Sequence, residues 1–173
     1  MINSTKRNDR KGERGSILAM SALGMLTVLL AVGLGVDISH LYLAKTELQN
    51  AADASALAAA SAINSNPSGI IEGTTRAVAA MNYYEFNNIG VTFPRSNVLW
   101  AVNLDGPYMS EQDASATGQA PTIRFVKVTT PESPVGVSFA AMVLGNSRNL
   151  SATATAGLSV PLNVFCNFIP LSV

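Results

Sequence analysis

SILAMSALGMLTVLLAVGLGV, residues 16 to 36, contains no charged side chain. As a helix, the twenty residues from Ile17 to Val36 extend about 30 Å, the thickness of a bilayer's hydrocarbon core. Ten of them are Leu, Ile or Val. At roughly −0.3 to −0.6 kcal/mol each, these favour insertion by about 3 to 6 kcal/mol. A core helix of a soluble protein this long would carry a polar face, and none is legible here. The stretch predicts a transmembrane helix, with Asp37 ending it where a carboxylate reaches water.

On the N-terminal side, residues 1 to 15 hold five basic and two acidic residues, a net of +3. Beyond the span stand six basic and nine acidic residues, a net of −3, so the neutral total hides an asymmetry. Basic residues favour the cytoplasmic side. The predicted order is a cytoplasmic basic tail (1–15), a transmembrane helix (16–36) and an extracytoplasmic region (37–173). A basic cluster beside an apolar run is a topology signal, and the net acidic outer region argues against nucleic-acid binding. The main competitor for the span is a cleaved signal peptide, which would make the protein secreted. Its apolar region is usually about 7 to 15 residues and an A-x-A-like site follows closely, whereas alanines here become frequent only from Ala51. Retention as a signal anchor is the better fit. A type IV prepilin leader fits less well still: Gly15 could precede a cut, but the fifth residue after it is Met20, not glutamate.

On the C-terminal side no proline occurs before Pro67, so the helix is predicted to run on. Leu41, Ala44, Leu48, Ala51, Ser55, Ala58 and Ala62 recur at spacings of three and four, a heptad seam of mostly small residues. Such a seam contributes little transfer energy but lets another backbone approach closely. Ala54, Leu57 and Ser61 form an adjoining stripe, and Ala31 with Gly35 makes a small-xxx-small pair within the span. These five residues are the candidates for binding another subunit.

A second helix is expected from about Ser68 to Asn87, with Ile71, Thr74, Val78 and Met81 on one stripe and Gly90 as a stop. VLWAVN (98–103) and IRFVKV (123–128) read as strands, the segment between them as a mobile loop, and VGVSFAAMVLG (135–145) as a short helix closed by glycine. In NLSATATAGLSV (149–160), Leu150, Ala152, Ala154, Ala156, Leu158 and Val160 alternate with hydroxylated or small residues. One face of that strand is apolar and suits a helix lying close over a sheet. The fold class is therefore α+β, a long N-terminal helix resting on a small antiparallel sheet.

The basic start, the uncharged span, the D-x-x-x-x-Y of Asp37 to Tyr42 and the LQNAADASALAAA of Leu48 to Ala60 resemble the N-terminal region of TadE/TadG-like proteins of Flp (tight adherence) pilus assembly. The likeness is specific over residues 14 to 63; beyond them only the order of elements resembles the family's pilin-like outer region. It implies a bacterial inner-membrane protein that helps build or anchor a pilus or secretion apparatus and whose partners are the membrane and other pilus-assembly or pilin subunits. The family brings no catalytic residues to carry over. Some longer relatives end in a von Willebrand factor A domain with a metal site, for which this chain is too short. Asp53-Ala54-Ser55 resembles the opening of that domain's D-x-S-x-S motif, but Leu57 stands at the second serine, so the segment reads as helix surface.

The rival from another class is a signal-anchored extracytoplasmic enzyme. The single histidine, His40, lies about one turn beyond the span, and no CxxC, histidine pair, GxSxG or Walker loop is present. Glu111 and Asp113 stand in the loop, where carboxylates usually face water. No metal, cofactor or small-molecule substrate is expected. Cys166, the lone cysteine, excludes an intramolecular disulfide.

Overall fold

The computed structural model describes residues 13–82, 85–86, 89–90, 93–141 and 145–159. Residues 1–12 of the basic tail, and Cys166, lie outside them. In chain order the elements are α1 (Glu13–Ala60), α2 (Pro67–Asn82), β1 (Glu85–Phe86), β2 (Ile89–Gly90), β3 (Val98–Ala101), α3 (Glu111–Ala114), β4 (Phe125–Thr129), β5 (Ser133–Gly136), β6 (Ser147–Leu150) and β7 (Thr153–Gly157). The protein is α+β, a long apolar N-terminal helix followed by a small antiparallel sheet. The chain forms two compact units. One comprises the residues up to Tyr42 with Pro134–Arg148, the other Leu43–Ser133 with the residues from Asn149.

Helix α1 is continuous for 48 residues, as expected for a proline-free stretch rich in Leu and Ala. In the first unit every residue from Ser16 to Val32 is exposed, and burial begins at Gly33 and Asp37. Strands β5 and β6 pair as a two-stranded sheet. The expected helix over 135–145 is thus corrected in its first part. Ser133, Val135 and Val137 are buried while Pro134 and Gly136 are exposed, a period of two that the apolar length of the run concealed. Gly145 N–H donates to the Ala141 carbonyl at 3.0 Å with φ at +79°, a conformation that favours glycine. Residues 142–144 lie outside those described.

In the second unit β3, β4 and β7 form an antiparallel sheet in the order β3-β4-β7. Its buried face consists of two cross-strand rows, Trp100–Val126–Ala156 and Val98–Val128–Ala154. Ala152, Ala154 and Ala156 are 2%, 6% and 9% exposed, as the alternation requires, but the expected single strand over 149–160 is divided: Leu150 ends β6, Ala152 precedes β7 and Leu158 is 42% exposed. Single positions on both margins of the sheet are occupied. At β3, Trp100 and Met109 exchange backbone hydrogen bonds of 2.9 and 2.7 Å. On the β7 side Lys45 Nζ donates to the Ser151 carbonyl and Gln49 Nε2 to the Thr153 carbonyl at 3.2 Å.

The α1 seam follows the heptad at first and then drifts. Ala44, Leu48, Ala51, Ser55 and Ala62 are buried, but Leu41 and Ala58 are only half-buried, whereas Ala52, Ala56 and Ala59 are wholly inside. A straight helix turns about 20° per heptad away from a strict seven-residue repeat, and the buried face moves accordingly. Helix α2 starts with Pro67, whose missing N–H costs nothing at the first helical position. It ends at Asn82, short of the expected Asn87, and Gly90 belongs to β2. Its inner face is Ile70, Gly73, Thr74 and Ala77 rather than the expected stripe, since Ile71 is exposed and Val78 half-buried. Trp100, fully buried, donates its indole N–H to Thr74 Oγ1 at 3.2 Å, and Thr74 donates to the Ile70 carbonyl at 3.1 Å.

The segment between β3 and β4 is more structured than expected. Ser110 caps α3, accepting from Asp113 N–H at 3.3 Å, and Ala114 and Ala120 are fully buried. Arg95 fixes α3 to the body by bidentate bonds to Glu111 of 2.9 and 2.5 Å, which raise the Arg95 pKa.

Candidate functional site

Two regions of α1 bear on function. The first lies in the first unit, at the end of the apolar run. Asp37 is 5% exposed. This corrects the expectation that its carboxylate reaches water: it accepts three backbone N–H bonds, Oδ1 from Ser138 at 3.0 Å and Oδ2 from Phe139 at 2.7 Å and Ala140 at 2.6 Å. The bonds from Ala140 and Ser138 lower the Asp37 pKa most, against burial, with smaller contributions from Phe139 N–H and the charge of His40. Charge-assisted bonds of this kind are roughly twice as strong as neutral ones. One turn before Asp37, Gly33 is covered by Phe139, whose ring would overlap any side chain placed there. Only glycine permits this approach. Phe139 is itself 57% exposed.

The second region is the outer face of the alanine-rich segment. Ala54, Leu57 and Ser61 lie three and four residues apart and all are exposed, Leu57 at 65%. Ser61 Oγ donates to the Ala58 carbonyl at 2.7 Å and accepts from Arg76 Nη1 at 3.2 Å, which ties that end of the stripe to α2. Ala31 and Gly35, in the span, are exposed, and a Cβ on Gly35 would meet nothing within 4 Å.

The opposite face of the same segment is internal packing. A Cβ on Gly73 would come within 2.8 Å of the Ala59 carbonyl oxygen and 2.6 Å of the Trp100 ring, so α1, α2 and β3 meet where all but one of the participants are small. Among the described residues no group of three or more His, Cys, Asp or Glu is placed to hold a metal ion.

The uncharged span, the buried aspartate at its end and the alanine-rich helix after it together coincide with one recognisable unit. Residues 15–62 match the Tad family. That family is described as Flp pilus-assembly TadE/G-like, and the matched segment stops at the turn preceding α2. No curated protein and no solved structure matches the chain. The Tad-like segment therefore holds both regions of α1 just described, while the sheet and α2 fall outside it. Sequence reading found the small-residue faces of that segment but missed the Asp37 clasp, whose three partners are main-chain groups about a hundred residues away. The one local signal was the D-x-x-x-x-Y spacing at Asp37 and Tyr42.

Proposed function

We propose that the protein is a structural or assembly component of a Tad/Flp-type pilus or secretion apparatus, anchored in a bacterial inner membrane by residues 16–36. In this reading residues 1–15 are cytoplasmic and residues 37–173 form a pilin-like extracytoplasmic region. The observation that carries it is the Tad match over residues 15–62, on a helix long and apolar enough to cross a membrane whose span is exposed from Ser16 to Val32. A role without catalysis agrees with a pilus-assembly family. The partners are the membrane and other pilus-assembly or pilin subunits, met through Ala54, Leu57 and Ser61 outside the bilayer and Ala31 and Gly35 within it, where small residues permit close helix contact.

Deleting the gene in the bacterium that encodes it is expected to abolish or shorten surface pili in electron micrographs, with recovery on re-expression of the full chain. Unchanged pili would overturn the reading. For topology, a cysteine at Thr155 in a Cys166→Ser background is expected to react with a membrane-impermeant maleimide in intact spheroplasts, while an N-terminal tag stays protected from external protease. The reverse pattern would overturn the orientation, and a soluble chain cut after the span would favour a secreted protein.

A further inference from the structure

We propose that the turn at residues 138–141 is a second membrane contact, with Phe139 inserted into the headgroup and acyl boundary beside the end of the span. The proposal rests on the reading of residues 16–36 as membrane-spanning. Phe139 is a large apolar side chain, 57% exposed, and its ring covers Gly33, which belongs to the last turn of the uncharged run. Gly33 lies four residues before Asp37, about 6 Å along the helix axis. If Asp37, the first charge after the span, marks the bilayer's outer edge, the ring lies below that edge. Amphipathic segments that lie at a membrane surface bury their apolar side to a similar depth, about 5 to 10 Å.

The polar groups of the turn are compatible with that position. Three successive N–H groups, at Ser138, Phe139 and Ala140, would be costly near lipid if left without partners, and all three are taken by Asp37. The same bonds give the Asp37 carboxylate partners at the edge of the apolar layer. The sequence from Ser133 to Gly145 contains no charged residue, and the nearest charges are Glu132 and Arg148. The occupant of this exposed apolar surface is identified by continuity, because the surface adjoins the lipid-facing residues of the span.

The test uses the full-length chain in liposomes of phosphatidylglycerol and phosphatidylethanolamine, in a Cys166→Ser background, with an environment-sensitive fluorophore on single cysteines. The variants are Phe139→Cys, Ser138→Cys, which keeps the ring, Leu26→Cys within the span, and Thr155→Cys on the exposed side of β7. Labels at 138 and 139 are expected to emit to the blue of the label at 155. They should be quenched by lipids carrying a nitroxide near the headgroup and protected from aqueous iodide. Water-like, iodide-quenched emission at both 138 and 139, with Leu26 quenched by lipid, would overturn the proposal and leave the anchor standing. Blue emission quenched by neither agent would show a protein neighbour instead of lipid, and would also overturn it. An aqueous label at Leu26 would remove the membrane-spanning reading and the proposal with it.

Discussion

Gly73 of α2 faces the Ala59 carbonyl of α1 so closely that one added methyl group would come within 2.8 Å of that oxygen. The same methyl would meet the Trp100 ring at 2.6 Å. Helix propensity favours alanine over glycine by about 1 kcal/mol, but the methyl must displace backbone on one side and a fully buried indole on the other. Gly73→Ala is therefore expected to destabilise the second unit by about 1 to 3 kcal/mol, the usual cost of overpacking. Thermal unfolding of the detergent-solubilised chain, followed by Trp100 fluorescence, would show it as a lowered midpoint.

Ser55 behaves in the opposite sense. Its hydroxyl is fully buried in α1 without a hydrogen-bond partner, and burying a hydroxyl uncompensated costs about 1 to 3 kcal/mol in mutational data. Ser55→Ala is expected to leave the midpoint unchanged or raise it, by up to about 1 kcal/mol after allowing for the small void left by the oxygen. A clear loss of stability would show that the hydroxyl has a partner in the folded protein.

The Asp37 clasp sets a pH dependence. Hydrogen bonds from Ala140 and Ser138 lower the folded-state pKa of Asp37, so the charged form is favoured by folding. The stabilisation is fully present above the unfolded carboxylate pKa of about 3.9. It is lost as pH falls through the lower, folded value. Amide exchange at residues 138–140 is expected to remain slow, relative to unstructured amides, from neutral pH down into the acid range, then to lose its protection as Asp37 protonates. Asp37→Ala removes the acceptor at every pH. It should leave these amides unprotected throughout, while exchange in β4 stays as before.

The proposed partner face gives a fourth expectation. Cysteines at Ala54, Leu57 or Ser61, with Cys166→Ser, are expected to crosslink to a neighbouring subunit in intact membranes. A cysteine at Lys45 should not, because that side chain is directed to the Ser151 carbonyl of its own chain. Absence of adducts at all three positions would leave the alanine-rich helix as an internal packing element only.

The parts of this fold that the sequence displayed are those in which one physical rule governs many consecutive residues. The span is a matter of composition, and Ala152, Ala154 and Ala156 show a strict period of two. The buried face of α2 is offset by one position from its apolar stripe, Ile70 and Ala77 in place of Ile71 and Val78, because what fixes that face is the closeness allowed by Gly73 and the hydroxyl of Thr74, not apolar character. The strand at Ser133–Gly136 was hidden within a run long enough to pass for a helix, although its alternating burial matches its sequence. The Asp37 clasp was not legible at all, since a main-chain N–H at residues 138–140 has no signature in residue type and the pairing spans more than a hundred residues.

The occupied positions on the margins of the three-stranded sheet limit how copies of this chain can join. An open strand edge invites a neighbour's strand and is the usual route to donor-strand exchange or fibrillar growth. Here Met109 takes the hydrogen-bonding groups of Trp100 on one side, while Lys45 and Gln49 take the carbonyls of Ser151 and Thr153 on the other. A strand added at Trp100, Ser151 or Thr153 would first have to displace Met109, Lys45 or Gln49 from those groups.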